Sequence, residues 1–371
     1  MANGNFAGGN GSESNPYQIE DAHDLDAVRN DLTAYYELIN DIDLDVSPYN
    51  EGEGWNPIGD YDNAFKGTLH GQGFEIKKLF IEKTEYKQRF GLFGFTNGST
   101  IEGLKVTNVN LLNVNYAGII VGNQENGSKI ANSFSNGKIN EGEVIGGLVG
   151  YNDSSTIENS FSFCEVNGSN YIGGLIGRNY GEQPEIYNSY STGKVQGESD
   201  YGGLIGSDAS ANSVIYNSFW DTKTSTQPTS AGGIGLTTSK MQDPQTFIDA
   251  GWDEEKTEDG KQVWILKNGE YPKLWFDYSF GSVIFKAENE FIVPSINEEK
   301  NITYLNKEFL NKEDFDKHGI KGEEVNNVDF KTLYDKKTYE MKQDPDNSNI
   351  YSQKLDLSKM KIKNASINTE N

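Results

Sequence analysis

Short apolar runs of three to five residues recur along the first part of the chain, separated by turns rich in Gly, Asn, Asp and Ser. Runs of this length are too short for helices and favour strands. A Gly-rich pentapeptide marks the recurrence, with steps of 28, 28, 27 and 29 residues between its copies. The copies begin at Phe90, Gly118, Gly146, Gly173 and Gly202.

A second element recurs at nearly the same interval and consists of Ile-x-Asn-Ser followed by an aromatic residue. Its copies begin at Ile130, Ile157, Ile186 and Ile215. A repeat of about 28 residues with three short strands predicts one rung of a parallel β-helix, in which each strand pairs with its copies above and below. Looser copies upstream bring the number to six or seven coils between Asp41 and Trp220. The fold class is therefore all-β.

Positions that repeat in this way form ladders along the axis. We expect the four isoleucines to form an aliphatic ladder inside the coil, and Phe134, Phe161, Tyr190 and Phe219 to form an aromatic ladder. Asn132, Asn159, Asn188 and Asn217 fall at one corner, where Asn tolerates the left-handed backbone and stacked amides can hydrogen-bond along the axis. The paired glycines are expected where φ is positive or where another backbone approaches closely.

Both ends of a β-helix expose strand edges, so we expect caps. At the front, a short strand precedes a helix that Glu20 or Asp21 caps and that buries Ala22, Leu25 and Val28.

Behind the repeats, the sequence predicts a helix with Met241, Phe247 and Ile248 on its apolar face, ended by Gly251, and a hairpin that turns at Asn268-Gly269. Trp252, Trp264 and Trp275 are expected to close the bottom of the coil.

Four segments follow from this reading: an N-terminal cap (1–45), the β-helix (46–230), a C-terminal cap (231–275) and a separate module (276–371). The last is poor in Gly and rich in Lys and Glu. Residues 282–293 and 354–367 alternate like strands, and 306–319 predict a short helix. We interpret this module as an attachment or oligomerisation element.

Charge and composition narrow the classes of function. A formal net charge of −24 argues against a nucleic-acid partner and against anionic membranes. No apolar run approaches the length of a membrane span, so membrane insertion is not expected. The first residues carry neither a basic start nor an apolar stretch, and we therefore expect no signal peptide.

Candidate chemistry is sparse, and we predict neither a catalytic residue nor a metal site nor a cofactor. Asp41, Asp43 and Asp45 alternate onto one face and could hold Ca²⁺, but a solvated strand face explains them as well. Cys164 is the single cysteine and is expected to be a small buried side chain. The three histidines show no metal-ligand spacing.

Five tyrosines flank the Gly-rich pentapeptide and are the candidate ligand-binding residues: Tyr116, Tyr151, Tyr171, Tyr180 and Tyr201. If they face outward, their rings beside Asn and Asp side chains form a surface suited to carbohydrate. The alternative is that they pack against neighbouring rungs with the hydroxyl in water.

The elements "GGLVG" and "GGLIG", with the "NSFS" or "NSYS" that follows them, resemble the GLUG repeat of bacterial and archaeal surface proteins. The resemblance extends over roughly residues 5–276. It implies a right-handed parallel β-helix in surface adhesins and in structural proteins of phages and prophages of Gram-positive bacteria. It implies no chemistry, and His70 stands where such coils more often carry an acidic residue.

Our leading hypothesis is a non-enzymatic structural or host-binding protein of a phage or phage-like particle, since such a protein needs no export signal. Its partners would be other virion proteins, through residues 276–371, and host surface glycan, with a homo-oligomer as an open alternative. A secreted cell-surface adhesin and a β-helical polysaccharide depolymerase are the alternatives. The location would be the virion, or the extracellular cell surface for the adhesin.

Overall fold

A computed structural model describes residues 6–82, 89–257, 260 and 262–277, together with the backbone of 285–287, 290–296 and 302–307. The chain divides into two compact units, Met1–Asp277 and Tyr278–Asn371. The first unit is a parallel β-helix of about six turns with short helices, which confirms the predicted fold class.

Two long sheets run along the coil. Sheet 1 contains, in spatial order, Tyr17–Ile19, Tyr35–Leu38, Thr68–His70, Thr100–Glu102, Lys129–Ala131, Thr156–Glu158, Glu185–Tyr187 and Val214–Tyr216. Sheet 2 contains Ile42–Asp43, Glu75–Lys77, Lys105–Leu112, Phe134–Asn140, Phe161–Ser162, Tyr190–Ser191, Phe219–Asp221 and Ile234–Leu236, with Phe80–Glu82, Glu165–Asn167 and Val195–Gln196 beside them.

Two shorter sheets complete each rung. Sheet 3 contains Ala117–Gly118, Ile145–Gly146, Asn170–Gly173 and Ser199–Gly202. Sheet 4 contains Phe93–Asn97, Val121–Glu125, Val149–Asp153, Ile176–Tyr180 and Ile205–Asp208. The chain passes from sheet 3 directly into sheet 4, so the residues at this corner of successive rungs lie above one another.

The interior follows the predicted register. Ile130 pairs with Ile157, Ile157 with Ile186 and Ile186 with Ile215, and the first three are at most 1% exposed. Each rung therefore covers the apolar face of the next one, which is the main source of stability in a solenoid.

The Asn corner is only partly as predicted. Asn132, Asn159, Asn188 and Asn217 all have positive φ, between 44° and 48°, which confirms the left-handed backbone. Their amides, however, do not bond one another in the described part of the chain. Asn159 accepts from Trp264 Nε1 at 3.2 Å, and Asn188 donates to Glu255 at 2.9 Å.

The Ser that follows each Asn makes the axial bond instead. The backbone N–H of Ser133 donates to Ser160 Oγ at 3.2 Å, that of Ser160 to Ser189 Oγ at 3.2 Å, and that of Ser189 to Ser218 Oγ at 3.2 Å. These serines are at most 1% exposed, so each hydroxyl satisfies a buried donor on the preceding rung. This explains why Asn and Ser repeat together.

The paired glycines are needed because another part of the backbone approaches them closely, and not because their φ is positive. A Cβ on Gly146 would lie 1.9 Å from the Val149 carbonyl oxygen, and one on Gly173 would lie 1.9 Å from that of Ile176. Any side chain at these positions would collide with backbone, which explains why Gly recurs at the corner between sheets 3 and 4.

The aromatic ladder points away from the aliphatic core and forms a second cluster. Phe134, Phe161 and Tyr190 stack with ring centroids 4.5 and 4.9 Å apart. The described residues of 238–277, here called the C-terminal strap, cover this ladder with Trp252 and Trp264. The tryptophans therefore lie along the side of the coil, and the prediction that they close its bottom is wrong.

The strap contains the helices Thr238–Met241 and Pro244–Ile248, the hairpin strands Trp264–Ile265 and Lys273–Leu274, and the 3₁₀ turn Trp275–Asp277. The one helix predicted here is thus two, and of its apolar face Met241 and Phe247 are buried whereas Ile248 is 40% exposed. Gly251 and Gly269 have φ of +79° and +82°, as a helix end and a hairpin turn require. Phe276 reaches Gly73 on an early rung, so the strap runs back toward the N-terminal end. It thereby ties late rungs to early ones.

The N-terminal cap is as expected. The helix Ala22–Ala27 is capped by the Asp21 carboxylate, which accepts from the N–H groups of His23 and Asp24, and a 3₁₀ turn, Val28–Asn30, continues it. Leu25 and Val28 are fully buried.

In the second unit, the described strands Phe285–Ala287, Glu290–Ile296 and Ile302–Lys307 form an antiparallel sheet. The strand predicted over 282–293 is thus present as two strands. The predictions for 354–367 and for most of 306–319 lie outside the described residues. The assignment of 276–371 to attachment stays a prediction.

Candidate carbohydrate-binding strip

Four of the five candidate tyrosines meet at the corner between sheets 3 and 4. Tyr116 immediately precedes a strand of sheet 3, and Tyr171 lies in the strand two rungs on. Tyr151 and Tyr180 lie on neighbouring strands of sheet 4. Tyr151 is in register with Arg178, and Tyr180 with Asp153, so the four rings come from different positions of neighbouring rungs, which lie about 4.8 Å apart.

An unbroken series of ring contacts joins these residues. The ring centroids of Tyr116 and Tyr151 are 6.1 Å apart, and those of Tyr151 and Tyr180 are 5.7 Å apart. The Arg89 guanidinium lies 3.6 Å from the Tyr116 centroid. Arg178 lies 4.6 Å from the Tyr171 centroid and 5.7 Å from that of Tyr180. We call these six residues the Tyr/Arg strip.

The strip is only partly open to solvent. Tyr180 is 44% exposed, whereas Tyr116, Tyr151, Tyr171 and the two arginines are half-buried. Burial raises the pKa of Tyr151 to about 12, although Arg178 opposes the shift. The Tyr151 hydroxyl therefore keeps its proton at neutral pH and can donate a hydrogen bond.

Backbone strain accompanies the strip. Tyr116 and Tyr171 have φ of +51° and +53°, a left-handed conformation that residues other than Gly, Asn and Asp rarely adopt. Such a position costs on the order of 1–3 kcal/mol and persists only where the surrounding structure imposes it.

A buried amide ladder lies beside the strip. Gln124 Nε2 donates to Asn152 Oδ1 at 2.7 Å, and Asn152 Nδ2 donates to Asn179 Oδ1 at 3.0 Å. All three side chains are fully buried, and Asn152 and Asn179 directly follow Tyr151 and Arg178 in the chain. The ladder therefore fixes the strand backbone that carries the strip.

A polar cleft of about 360 Å³ adjoins the strip along the chain. Its polar lining comprises Asn113, Asn115, Glu141, Asn167, Ser169 and Glu198. Asn115 immediately precedes Tyr116, and Ser169 lies two residues before Tyr171. Amide and carboxylate groups next to flat aromatic rings are the combination that suits hydroxyl-rich ligands.

Tyr201 does not belong to this strip. It pairs in register with Ile172, so Asp200 and not Tyr201 occupies the position of Tyr171 on the next rung. Asp200 also has positive φ, 49°. The one-residue offset between Tyr201 and the other tyrosines was visible in the sequence, since Tyr201 precedes its glycine by one residue and Tyr171 by two.

The carboxylates considered as a Ca²⁺ site are engaged by the protein. Lys78 Nζ lies 3.0 Å from Asp43 and 3.2 Å from Asp45, and the backbone N–H of Glu75 donates to Asp41 at 2.8 Å. Within the described ranges, no three His, Cys, Asp or Glu side chains converge as metal ligands.

Cys164 is fully buried, as predicted, and burial raises the pKa of its thiol to about 11. His70 Nδ1 lies 2.7 Å from Glu102 Oε1, its register partner on the neighbouring rung. A membrane-spanning helix is not found among the described residues, since none is both long and apolar enough.

Fold and corner geometry together define the class: a parallel β-helix with glycine-rich corners and a Tyr/Arg strip on its outer surface. A family described as the GLUG motif matches residues 168–196. These residues form the rung that carries Tyr171, Arg178 and Tyr180. The chain therefore carries GLUG repeats on a β-helix, which confirms the resemblance predicted from the sequence.

Two relatives match parts of the chain. A protein described as a candidate Gly-rich membrane protein of Evansella cellulosilytica is 35% identical over an aligned length of 185 residues, and the match covers 40% of this chain and 21% of that protein. Halomucin of Haloquadratum walsbyi is 36% identical over 151 residues, which is 38% of this chain and 2% of that protein. The matched region is thus a small part of much longer relatives.

A crystal structure from Bacteroides ovatus, described as a candidate immunoglobulin A1 protease, has a similar fold. It superposes with a TM-score of 0.58 at 20% sequence identity, over 73% of this chain and 95% of that one. At this level of identity the likeness concerns the fold alone.

Proposed function

We propose that this protein acts at the cell surface, where its β-helix presents the Tyr/Arg strip to carbohydrate and catalyses no reaction. The unbroken series of ring and guanidinium contacts across successive rungs carries the proposal. A row of aromatic rings with centroids 5.7 and 6.1 Å apart can hold sugar rings of one chain, whose apolar faces contact the aromatic rings while their hydroxyls reach the neighbouring cleft.

The surface location rests on the relatives, one of which is described as a membrane protein and the other as a halomucin. This favours the adhesin alternative over the phage particle. The virion location, and the docking of residues 276–371 to other virion proteins, stay predictions that neither the fold nor these relatives test.

A non-enzymatic role fits the way in which carboxylates and lysines meet across neighbouring rungs. Lys129 Nζ lies 2.6 Å from Glu158, and Lys138 Nζ lies 3.1 Å from Glu165. These are surface ion pairs between rungs and not the paired carboxylates that glycoside hydrolysis needs. Incubation of the full chain with cell-wall and capsular polysaccharides, with and without Ca²⁺, should release no reducing ends or unsaturated products.

Binding is tested by applying the full chain to an array of neutral and acidic glycans, followed by titration calorimetry with the best probe. The double variant Tyr151→Ala/Tyr180→Ala should weaken binding by about tenfold or more, the loss expected when one well-packed anchor is removed. Tyr216→Ala is the matched control, because Tyr216 is a 60% exposed tyrosine on sheet 1, away from the strip. Equal binding by both variants, or no binding to any glycan, would refute the proposal.

A further inference from the structure

The arginines of this chain are distributed unevenly. Arg29, Arg89 and Arg178 are its three arginines, against 29 lysines. Two of the three lie in the Tyr/Arg strip, each stacked on a tyrosine ring. Lysine supplies the positive charge almost everywhere else, so a specific property of the guanidinium group accounts for arginine at these two positions.

The two strip arginines stack on tyrosine rings by their flat faces, and their edges have no hydrogen-bond partner among the described residues. Neither Nε atom has a hydrogen-bond partner among the described residues, although both atoms are buried. Arg29 differs, because its Nε donates to Asp26 at 2.7 Å and its terminal nitrogens donate to two backbone carbonyls. Because the two Nε atoms are buried, a ligand from outside would meet the terminal nitrogens, which make no hydrogen bond to the described residues.

The identity of that acceptor follows from the geometry of the group. A guanidinium stacked on an aromatic ring is held in one plane, and its edge presents parallel N–H donors that match a carboxylate or a phosphate. Glu125 lies near Arg89 but already accepts from Asn123 Nδ2 at 3.0 Å. Asp153, beside Tyr180 on the next rung, accepts from Ser154 Oγ at 2.8 Å. Neither carboxylate forms an ion pair with Arg89 or Arg178 among the described residues.

We propose, resting on the carbohydrate-binding function above, that the Tyr/Arg strip selects glycans that carry an oxyanion, either a sugar carboxylate or a sugar phosphate. The tyrosine faces hold the sugar rings, and Arg89 and Arg178 receive the acidic groups edge-on. Because the protein has a net charge of −24, long-range attraction cannot draw a polyanion to it. A preference for an acidic glycan would therefore indicate a direct contact with the strip and not long-range attraction.

Matched pairs of probes distinguish the two oxyanions. Oligogalacturonate is compared with its methyl ester for the carboxylate, and yeast phosphomannan with mannan for the phosphate. Calorimetry on the full chain should show the acidic member of at least one pair binding about tenfold more tightly, the gain of one charge-assisted bidentate contact. The pair that shows the preference identifies the oxyanion.

The arginine variants assign that preference to the strip. Arg178→Gln and Arg89→Gln should each reduce the ratio between the affinities for the acidic and the neutral form toward one. Arg178→Lys keeps the charge but loses the planar donors, so its ratio should lie between that of Arg178→Gln and that of the wild type. Lys138→Gln, which removes one charge from sheet 2, should leave the ratio unchanged. Far-ultraviolet circular dichroism checks that each variant folds.

Three outcomes would overturn the inference. Equal binding of acidic and neutral forms by the wild type would refute acidic selection and leave carbohydrate binding intact. An acidic preference that survives in both glutamine variants would place its origin outside the strip. Absence of binding to every probe, neutral and acidic, would refute the proposed function and the inference with it.

Discussion

The hydrogen bonds between the repeated serines of neighbouring rungs allow the stability cost of removing one hydroxyl oxygen to be predicted. Ser160 is fully buried, and its Oγ accepts the backbone N–H of Ser133 at 3.2 Å while donating to the Glu158 carbonyl at 2.7 Å. Ser160→Ala removes both bonds. The Glu158 carbonyl keeps the N–H of Asn132 at 3.1 Å, so the N–H of Ser133 is the one group that loses its partner.

The expected cost is that of one unsatisfied buried donor, about 1–3 kcal/mol in the free energy of unfolding. The N–H of residue 160 still donates to Ser189 Oγ in the variant, so the next rung is unaffected. Ser14→Ala is the control, because Ser14 is exposed and its loss should change stability by no more than about 0.5 kcal/mol.

Urea unfolding should show a lower midpoint for Ser160→Ala with an unchanged m value. Because a solenoid can unfold rung by rung, hydrogen exchange supplies the local measurement. The peptide that contains Ser133 should exchange faster, and peptides from the N-terminal cap should not. If Ser160→Ala matched Ser14→Ala in stability and left exchange at Ser133 unchanged, the structural role assigned to the repeated Ser would be wrong.

Three further predictions concern single positions. Asn132→Gly should be milder than Asn132→Ala by about 1 kcal/mol in urea unfolding, because φ is +48° and only Gly adopts it without strain; equal losses would contradict this. Cys164, buried and with its pKa raised to about 11, should react with a thiol reagent only after unfolding; rapid labelling of the native protein would count against it. The hydrogen bond from His70 lowers the pKa of Glu102 below its ordinary value of 4.5. The ionised Glu102 therefore contributes its full share of the free energy of unfolding above pH 4.5, and this contribution is lost as the pH falls through the lowered pKa. The stability difference between the wild type and Glu102→Gln should therefore shrink in acid, and a difference that is constant with pH would exclude this contribution.

Spacing in the sequence was sufficient to predict the rungs and the register of Ile130, Ile157, Ile186 and Ile215, because identical residues at a constant interval stack in a solenoid. It was also sufficient for the left-handed Asn corner. It was not sufficient for the strap. Apolar periodicity shows that a helix or hairpin buries one face but does not show which surface covers it, and Trp264 covers the aromatic ladder from the side.

The candidate site was predicted in part for a similar reason. The tyrosines were found because they accompany the Gly-rich element, whereas the arginines follow no period. Arg89 precedes its pentapeptide and Arg178 follows another one, so only the fold brings them to one surface. The amide ladder was detectable, since Gln124, Asn152 and Asn179 are spaced 28 and 27 residues apart, but the change from Gln to Asn concealed the repeat.

Stability and binding make opposite demands on the corner that carries the strip. At the Asn corner the left-handed position holds Asn, which tolerates this conformation, so the backbone strain lowers the stability of the rung only slightly. In the Tyr/Arg strip the same backbone conformation holds Tyr116 and Tyr171, each at a cost on the order of 1–3 kcal/mol. Glycine would remove that cost and would also remove a ring on which an arginine stacks. Repeated rungs make such strain tolerable, since each strained residue is held by paired strands above and below it. The repeated positions thus maintain the rod, and the positions that vary between rungs can be used for recognition.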